Sequence, residues 1–153
     1  MLELSGELTR LFERAGPLLD RLREQGPYAF GRDIIEKARE IIPTLSETEQ
    51  IAVINAHPRI GERPDQVSAA SFKEQAYDQG TTPPALFLRL ANLNDEYEQK
   101  FGFRFVIFVN RRSKEAIVPI LEARLRGTRD EERRTALREI LAIADARLRE
   151  AGG

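Results

Sequence analysis

The chain has no cysteine and no tryptophan, and only one histidine and one methionine among its 153 residues. Without cysteine, disulfides, thiolate nucleophiles, iron–sulfur clusters and cysteine zinc sites are excluded together. A single imidazole, His57, likewise excludes a multi-histidine metal site. Charge of one sign is not in excess: 24 basic residues stand against 25 acidic ones, for a net charge of −1. That balance argues against a nucleic-acid or anionic-membrane binder, which carries a basic excess or patch. Long apolar runs are missing too. The longest, Ala116 to Leu121, has six residues, against the ~18 that a membrane helix needs. The first residues, MLELSGELTR, carry acids where a secretory signal has a basic and then an apolar stretch. These absences lead to the expectation of a cytoplasmic protein in a reducing compartment, with no metal. Any chemistry has to come from carboxylates, arginines, hydroxyls, amides and one imidazole.

What is present is a core: 41% hydrophobic residues beside 32% charged ones. A chain of ~150 residues buries roughly 68–70% of its unfolded surface and needs no covalent staple. No repeat, low-complexity stretch or long linker divides it, so one domain is expected over residues 1–153. Its apolar periodicity is helical almost throughout, and the expected fold is all-α, with seven or eight helices. Leu2, Leu8, Leu11, Phe12, Leu18, Leu19 and Leu22 mark a first helical region, interrupted near Gly16-Pro17. Residues 29–42 form a second amphipathic segment after the Gly26-Pro27 turn. Ser46 and Glu49 make a capping box for a helix that should end at His57, since a residue before proline avoids the α region. Residues 58–67 read as a loop, Ser68 or Ser71 opens a short helix to about Gln79, and residues 80–84 are a second loop. A helix through Leu86, Leu90, Leu93 and Tyr97 is closed by Gly102. Residues 101–109 (FGFRFVIFV) are the one apolar run of non-helical, strand-like period, extended near 103–109. A helix over Ser113–Arg126 follows, in which Pro119 should produce a kink or a delayed start. Gly127 suits a C-cap, and Thr128 with Glu131 opens the last helix.

Four features carry possible chemistry, each with a plainer alternative. His57 lies on the apolar face of its helix, either as a core histidine favoured by the helix C-terminus or as a general acid or base. Ser71, Glu74, Gln75 and Asp78 share one helix face, which is either solvated or a comb of hydrogen-bonding groups for a small polar ligand. Arg147 stands seven residues after Ile140 and four after Ile143, and so projects from the buried side of the last helix. It is either a snorkelling stem or a fork for an anion or planar carbonyl. The run Phe105, Val106, Ile107, Phe108, Val109 has no strand to pair with. It is either an apolar plug or a source of backbone donors for a ligand.

Taken together, Asn55-Ala56-His57-Pro58-Arg59-Ile60-Gly61, Ser71-x-x-Glu74-Gln75 and Leu93-Asn94-x-x-Tyr97-x-x-Lys100-Phe101-Gly102-Phe103 resemble the 2-oxo-4-hydroxy-4-carboxy-5-ureidoimidazoline (OHCU) decarboxylases. The likeness continues through Phe105-Val106-Ile107, Ser113, Arg124-Leu125, Glu131, Ala136-Leu137 and Ile143-Ala144 to Arg147-Leu148, and so spans about Ser46 to Leu148. The first 45 residues match poorly. The resemblance implies an all-α lyase that converts OHCU to (S)-allantoin in urate breakdown, with loss of CO2 and no cofactor. It implies that His57 and Glu74 are catalytic. It also implies that Pro58, Ser71, Gln75, the Phe105–Val109 backbone and Arg147 bind the substrate. Where relatives often have proline in FGFPF, this chain has Arg104, which should point away from the phenylalanine side. A homodimer, and fusion to or association with a urate oxidase, are further implications. The rival readings are a non-catalytic helical scaffold and a different small-acid lyase on the same fold.

Overall fold

Three short-range capping signals, at Ser46, Ser113 and Thr128, set the starts of three helices in the computed structural model, which describes residues 4–60 and 84–150. Among the described residues are seven α-helices and no strand: α1 (Leu4–Phe12), α2 (Gly16–Gln25), α3 (Gly31–Ile41), α4 (Glu47–Asn55), α5 (Pro84–Phe101), α6 (Lys114–Arg124) and α7 (Arg129–Glu150). The all-α expectation is met. The helix expected between residues 68 and 79 lies outside the described residues.

Contacts divide the chain into two compact units, one of residues 1–57 and 137–153, the other of residues 58–136. In the first, α1, α2, α3, α4 and the larger part of α7 pack their apolar faces together. Leu8, Leu11, Phe12, Leu18, Leu22, Ile34, Ala38, Val53, Ile54, Ile140 and Ala144 are fully excluded from solvent. Pro17 falls in the first turn of α2, where a missing N–H costs nothing because that group has no intrahelical partner. So Gly16-Pro17 starts a helix as well as interrupting one. The α4 capping box forms as expected. Ser46 Oγ accepts from the Glu49 N–H at 3.1 Å, and the Glu49 carboxylate accepts from the Ser46 N–H at 3.0 Å. The helix stops at Asn55, with Ala56 as its cap, so His57 occupies the turn just beyond it.

The second unit is built on α5. Gly102 closes that helix with φ +81°, its N–H donating to the Glu98 carbonyl at 2.8 Å; a left-handed residue here is the usual helix stop. Residues 104–109 then run without helix or strand. Phe101, Phe103 and Phe105 gather around Tyr97 with ring centroids 4.6, 6.1 and 5.4 Å away. Yet Val106, Ile107 and Val109 are buried as well. The segment is apolar on both sides and does not alternate as a strand would. Arg104 is half-buried between two buried phenylalanines.

α6 begins at Lys114, directly after its Ser113 cap, and runs through Pro119 to Arg124, which corrects the expected late start. Glu115, whose carbonyl loses its partner, and Pro119 are both exposed, so water can satisfy that carbonyl. Ser113 Oγ caps α6 from the Ala116 N–H at 3.2 Å. At the other end the helix stops at Arg124 with Leu125, in right-handed geometry, as the cap, so the expected cap, Gly127, lies two residues beyond it. Thr128 and Glu131 form their box at 3.2 and 3.3 Å.

Candidate functional site

In the first unit, three titratable groups are buried together. His57 is 3% exposed, Arg147 3% and Glu13 7%. The last turns of α7 place Arg147 on the side of Ile140, Ile143 and Ala144, where its head cannot reach water. It does not snorkel. Its Nη2 donates to Glu13 Oε1 at 2.8 Å, and its Nη1 donates to the carbonyls of Arg10 and Leu11 at 3.1 and 3.4 Å. The Arg10 side chain returns a bond to the Arg147 carbonyl at 2.9 Å. The guanidinium therefore sits on the negative end of the α1 dipole, with a carboxylate beside it.

Glu13 was not among the residues singled out from sequence. It follows α1 with φ +58°, its N–H donating to the Thr9 carbonyl at 2.9 Å, in the left-handed stop position where glycine or asparagine is usual. A sequence signal existed: an acid directly after Leu11-Phe12, with no glycine until Gly16.

His57 is held by its position just past α4. Its N–H donates to the Ile54 carbonyl at 3.2 Å, and Nδ1 lies 3.4 Å from the Val53 carbonyl. Burial pushes its proton affinity down, the positive Arg147 pushes it further, and Glu13 and the Val53 carbonyl push back. The result is a pKa of about 4. The imidazole is thus neutral at pH 7. An unfolded chain takes up this proton near 6.5, whereas the folded one does not until about 4. Stability from the buried neutral ring is therefore complete above pH 6.5 and is lost as pH falls from 6.5 to 4, on the order of 3 kcal/mol in total. Melting temperatures at pH 7 and pH 4.5 should drop further for the native chain than for His57→Gln. Equal drops would mean that the ring is solvated.

In the second unit, an arginine–glutamate–tyrosine network holds the extended segment. Arg124 Nε donates to Glu132 Oε1 at 2.7 Å, and its Nη1 donates to the Val106 carbonyl at 2.8 Å. The Tyr97 hydroxyl donates to the same Glu132 oxygen at 2.6 Å. Arg124 also lies over the Phe105 ring, 4.5 Å from its centroid. Burial, and then the bond to Glu132, raise the Tyr97 pKa above its ordinary value. Arg112 donates to the Phe108 carbonyl at 2.6 Å. The Val106 and Phe108 carbonyls thus find side-chain donors within their own unit. Just after His57, Arg59 grips Glu98 through two bonds of 2.6 and 2.8 Å, and Asn94 donates to the Ile60 carbonyl at 3.2 Å. The half-buried Pro58 thus leads into a braced segment.

Of the residues expected in the site, the structure brings His57 and Arg147 together in one unit and places Pro58 and Phe105–Val109 in the other. Ser71, Glu74 and Gln75 lie outside the described residues. Among the described residues, no group of three or more histidine, aspartate or glutamate side chains could hold a metal ion, and no helix is long and apolar enough to cross a membrane.

Residues 3–149 match the sequence model of a family described as OHCU decarboxylase. The match takes in residues 3–45, where the motif likeness was poor, and with them Glu13. A 2-oxo-4-hydroxy-4-carboxy-5-ureidoimidazoline decarboxylase of Haloferax volcanii is 26% identical over 140 residues, covering 92% of this chain and 83% of the relative. A uric acid degradation bifunctional protein of Bacillus sp. (strain TB-90) is 32% identical over 143 residues, covering 92% of this chain but 28% of the relative. Related domains therefore also occur within larger proteins. Among solved structures, a crystal structure of OHCU decarboxylase in the presence of (S)-allantoin superposes with a TM-score of 0.76 at 25% identity, covering 95% of this chain and 96% of that one.

Proposed function

Because the chain belongs to the OHCU decarboxylase family, we propose that it is a carboxy-lyase converting OHCU to (S)-allantoin in urate degradation, without a cofactor. The observation that carries this reading is the burial of His57 beside Arg147, two residues also marked out by the family motifs. Such perturbed groups gather at functional sites.

The reaction makes modest demands. The electron pair of the breaking C–COO bond passes into the adjacent ring C=N as CO2 leaves, and the ring nitrogen takes up a proton from water. The hydroxyl then gives up its proton as its carbon becomes a carbonyl, and one proton is delivered to a single face of the ureido-bearing ring carbon. His57, neutral at pH 7, accepts the substrate hydroxyl proton and manages its return. An anionic substrate beside the ring would offset the depressing effect of Arg147 and bring its proton affinity nearer the working range. Arg147 orients the carboxylate or ureido oxygens. Pro58 lines the pocket, and the backbone of Phe105, Val106, Ile107, Phe108 and Val109 supplies fixed dipoles where charge develops. Glu74 shares the acid–base work, while Ser71 and Gln75 hold the ureido group. We propose also that both units act as one domain over residues 1–153, which the single family match across them supports. A cytoplasmic location, a homodimer and association with a urate oxidase complete the reading.

The test is the decay of freshly generated OHCU followed by circular dichroism. Rapid formation of one-handed (S)-allantoin is expected. Decay no faster than the spontaneous reaction would overturn the assignment in favour of a scaffold or another small-acid lyase.

A further inference from the structure

Glu13 combines two unfavourable features. Its backbone is left-handed, at φ +58°, although it carries a side chain, and that conformation costs free energy outside glycine and asparagine. Its carboxylate is buried against Arg147, and buried ion pairs are weak contributors to stability, since desolvation offsets much of the attraction. A helix stop needs neither: glycine would close α1 more cheaply, as Gly102 closes α5. What the left-handed turn achieves is direction. It carries the Glu13 carboxylate to the Nη2 edge of Arg147, while the α1 carbonyls of Arg10 and Leu11 take the Nη1 edge. The guanidinium is thereby held at two of its nitrogens, which fixes its plane as well as its position.

We propose that Glu13 is a positioning residue for this site: its carboxylate sets the plane of the Arg147 guanidinium and shares the charge environment of His57. The inference rests on the substrate-binding role proposed above for Arg147. Among the described residues, Glu13 at the end of α1 and Arg147 on α7 are the two charges that act on the imidazole, with opposite signs. Glu13 therefore works on both proposed functional groups at once. It holds the first in direction and moderates what the first does to the second.

His57 is the only histidine in the chain, so its imidazole NMR signals need no assignment, and its titration reads the local charge directly. In Glu13→Gln, kcat/KM on OHCU should fall roughly 10- to 100-fold, carried mainly by kcat, because small misplacements of an orienting group cost about that much. The His57 titration midpoint should move down, since a negative charge has been removed. A merely structural role would not move it. Glu13→Asp keeps the charge but draws it back by one methylene. It should hold the His57 midpoint near that of the native chain while kcat/KM still falls at least several-fold. Should Glu13→Gln fail to fold, Glu13→Asp decides by the same two readouts. Native kcat/KM in either folded variant, or an unmoved midpoint in Glu13→Gln, would overturn the proposal. If the native chain itself leaves OHCU at its spontaneous rate, the substrate assignment has failed. The His57 titration then still decides whether Glu13 governs the buried charges.

Discussion

His57→Gln is expected to lower kcat for OHCU by roughly 10²–10⁴, the usual worth of a positioned general acid or base. The loss should come with little change in fold. Glutamine has a similar volume and can still hydrogen-bond toward the Val53 carbonyl, which lies 3.4 Å from Nδ1. The size of the effect follows from what the ring offers at pH 7. It is neutral, buried and, with a pKa of about 4, quick to release any proton that it accepts. Product handedness is the second readout, because uncatalysed protonation of the ring carbon has no preferred face. A variant that kept native kcat and one-handed product would remove the imidazole from the chemistry. His57 would then be a core histidine past a helix end.

Arg147→Met should destabilise the fold by about 3–5 kcal/mol, the typical result of stripping one partner from a buried ion pair. For a chain of this size that corresponds to a fall in melting temperature on the order of 10 °C. The cause is not the lost bond. It is the Glu13 carboxylate, left in a site with 9% side-chain exposure and without its counter-charge. Adding Glu13→Gln to Arg147→Met should therefore recover part of the loss, and the double-mutant cycle measures the coupling. Arg147→Lys separates the roles. Lysine keeps the charge for Glu13 but not the planar fork, so activity should fall further than stability does. A loss below about 1 kcal/mol in Arg147→Met, typical of exposed pairs, would mean that the pair is solvated.

Features that depend on neighbours a few residues away were legible in the order of residues. The Ser46–Glu49 and Thr128–Glu131 boxes, the Ser113 cap, the Gly102 stop and the apolar stripes of α3 and α7 each use partners within about one or two turns. Local pattern reports local bonds. The burial of His57 and of the Arg147 stem was legible for the same reason, since spacing from Val53, Ile54, Ile140 and Ile143 sets the face. The motif likeness to OHCU decarboxylases added the functional class, which periodicity alone could not supply.

What those faces meet emerged with the folded chain. The partner of Arg147 lies 134 residues away at Glu13, in a stretch whose motifs match the family poorly. No periodicity connects an α1 stop residue to the last turns of α7. The network of Tyr97, Arg124 and Glu132 likewise joins residues 35 and 8 positions apart, and it turns what read as a strand into a segment buried on both sides. Pro119 does not delay the start of α6, and what it costs there depends on whether the stranded Glu115 carbonyl reaches water, because exposure is a property of the fold. Hydrogen bonds between close neighbours are written into the order of residues. Partnerships of buried charges are written only when the chain has closed, because desolvation and the choice of counter-ion belong to the packed interior.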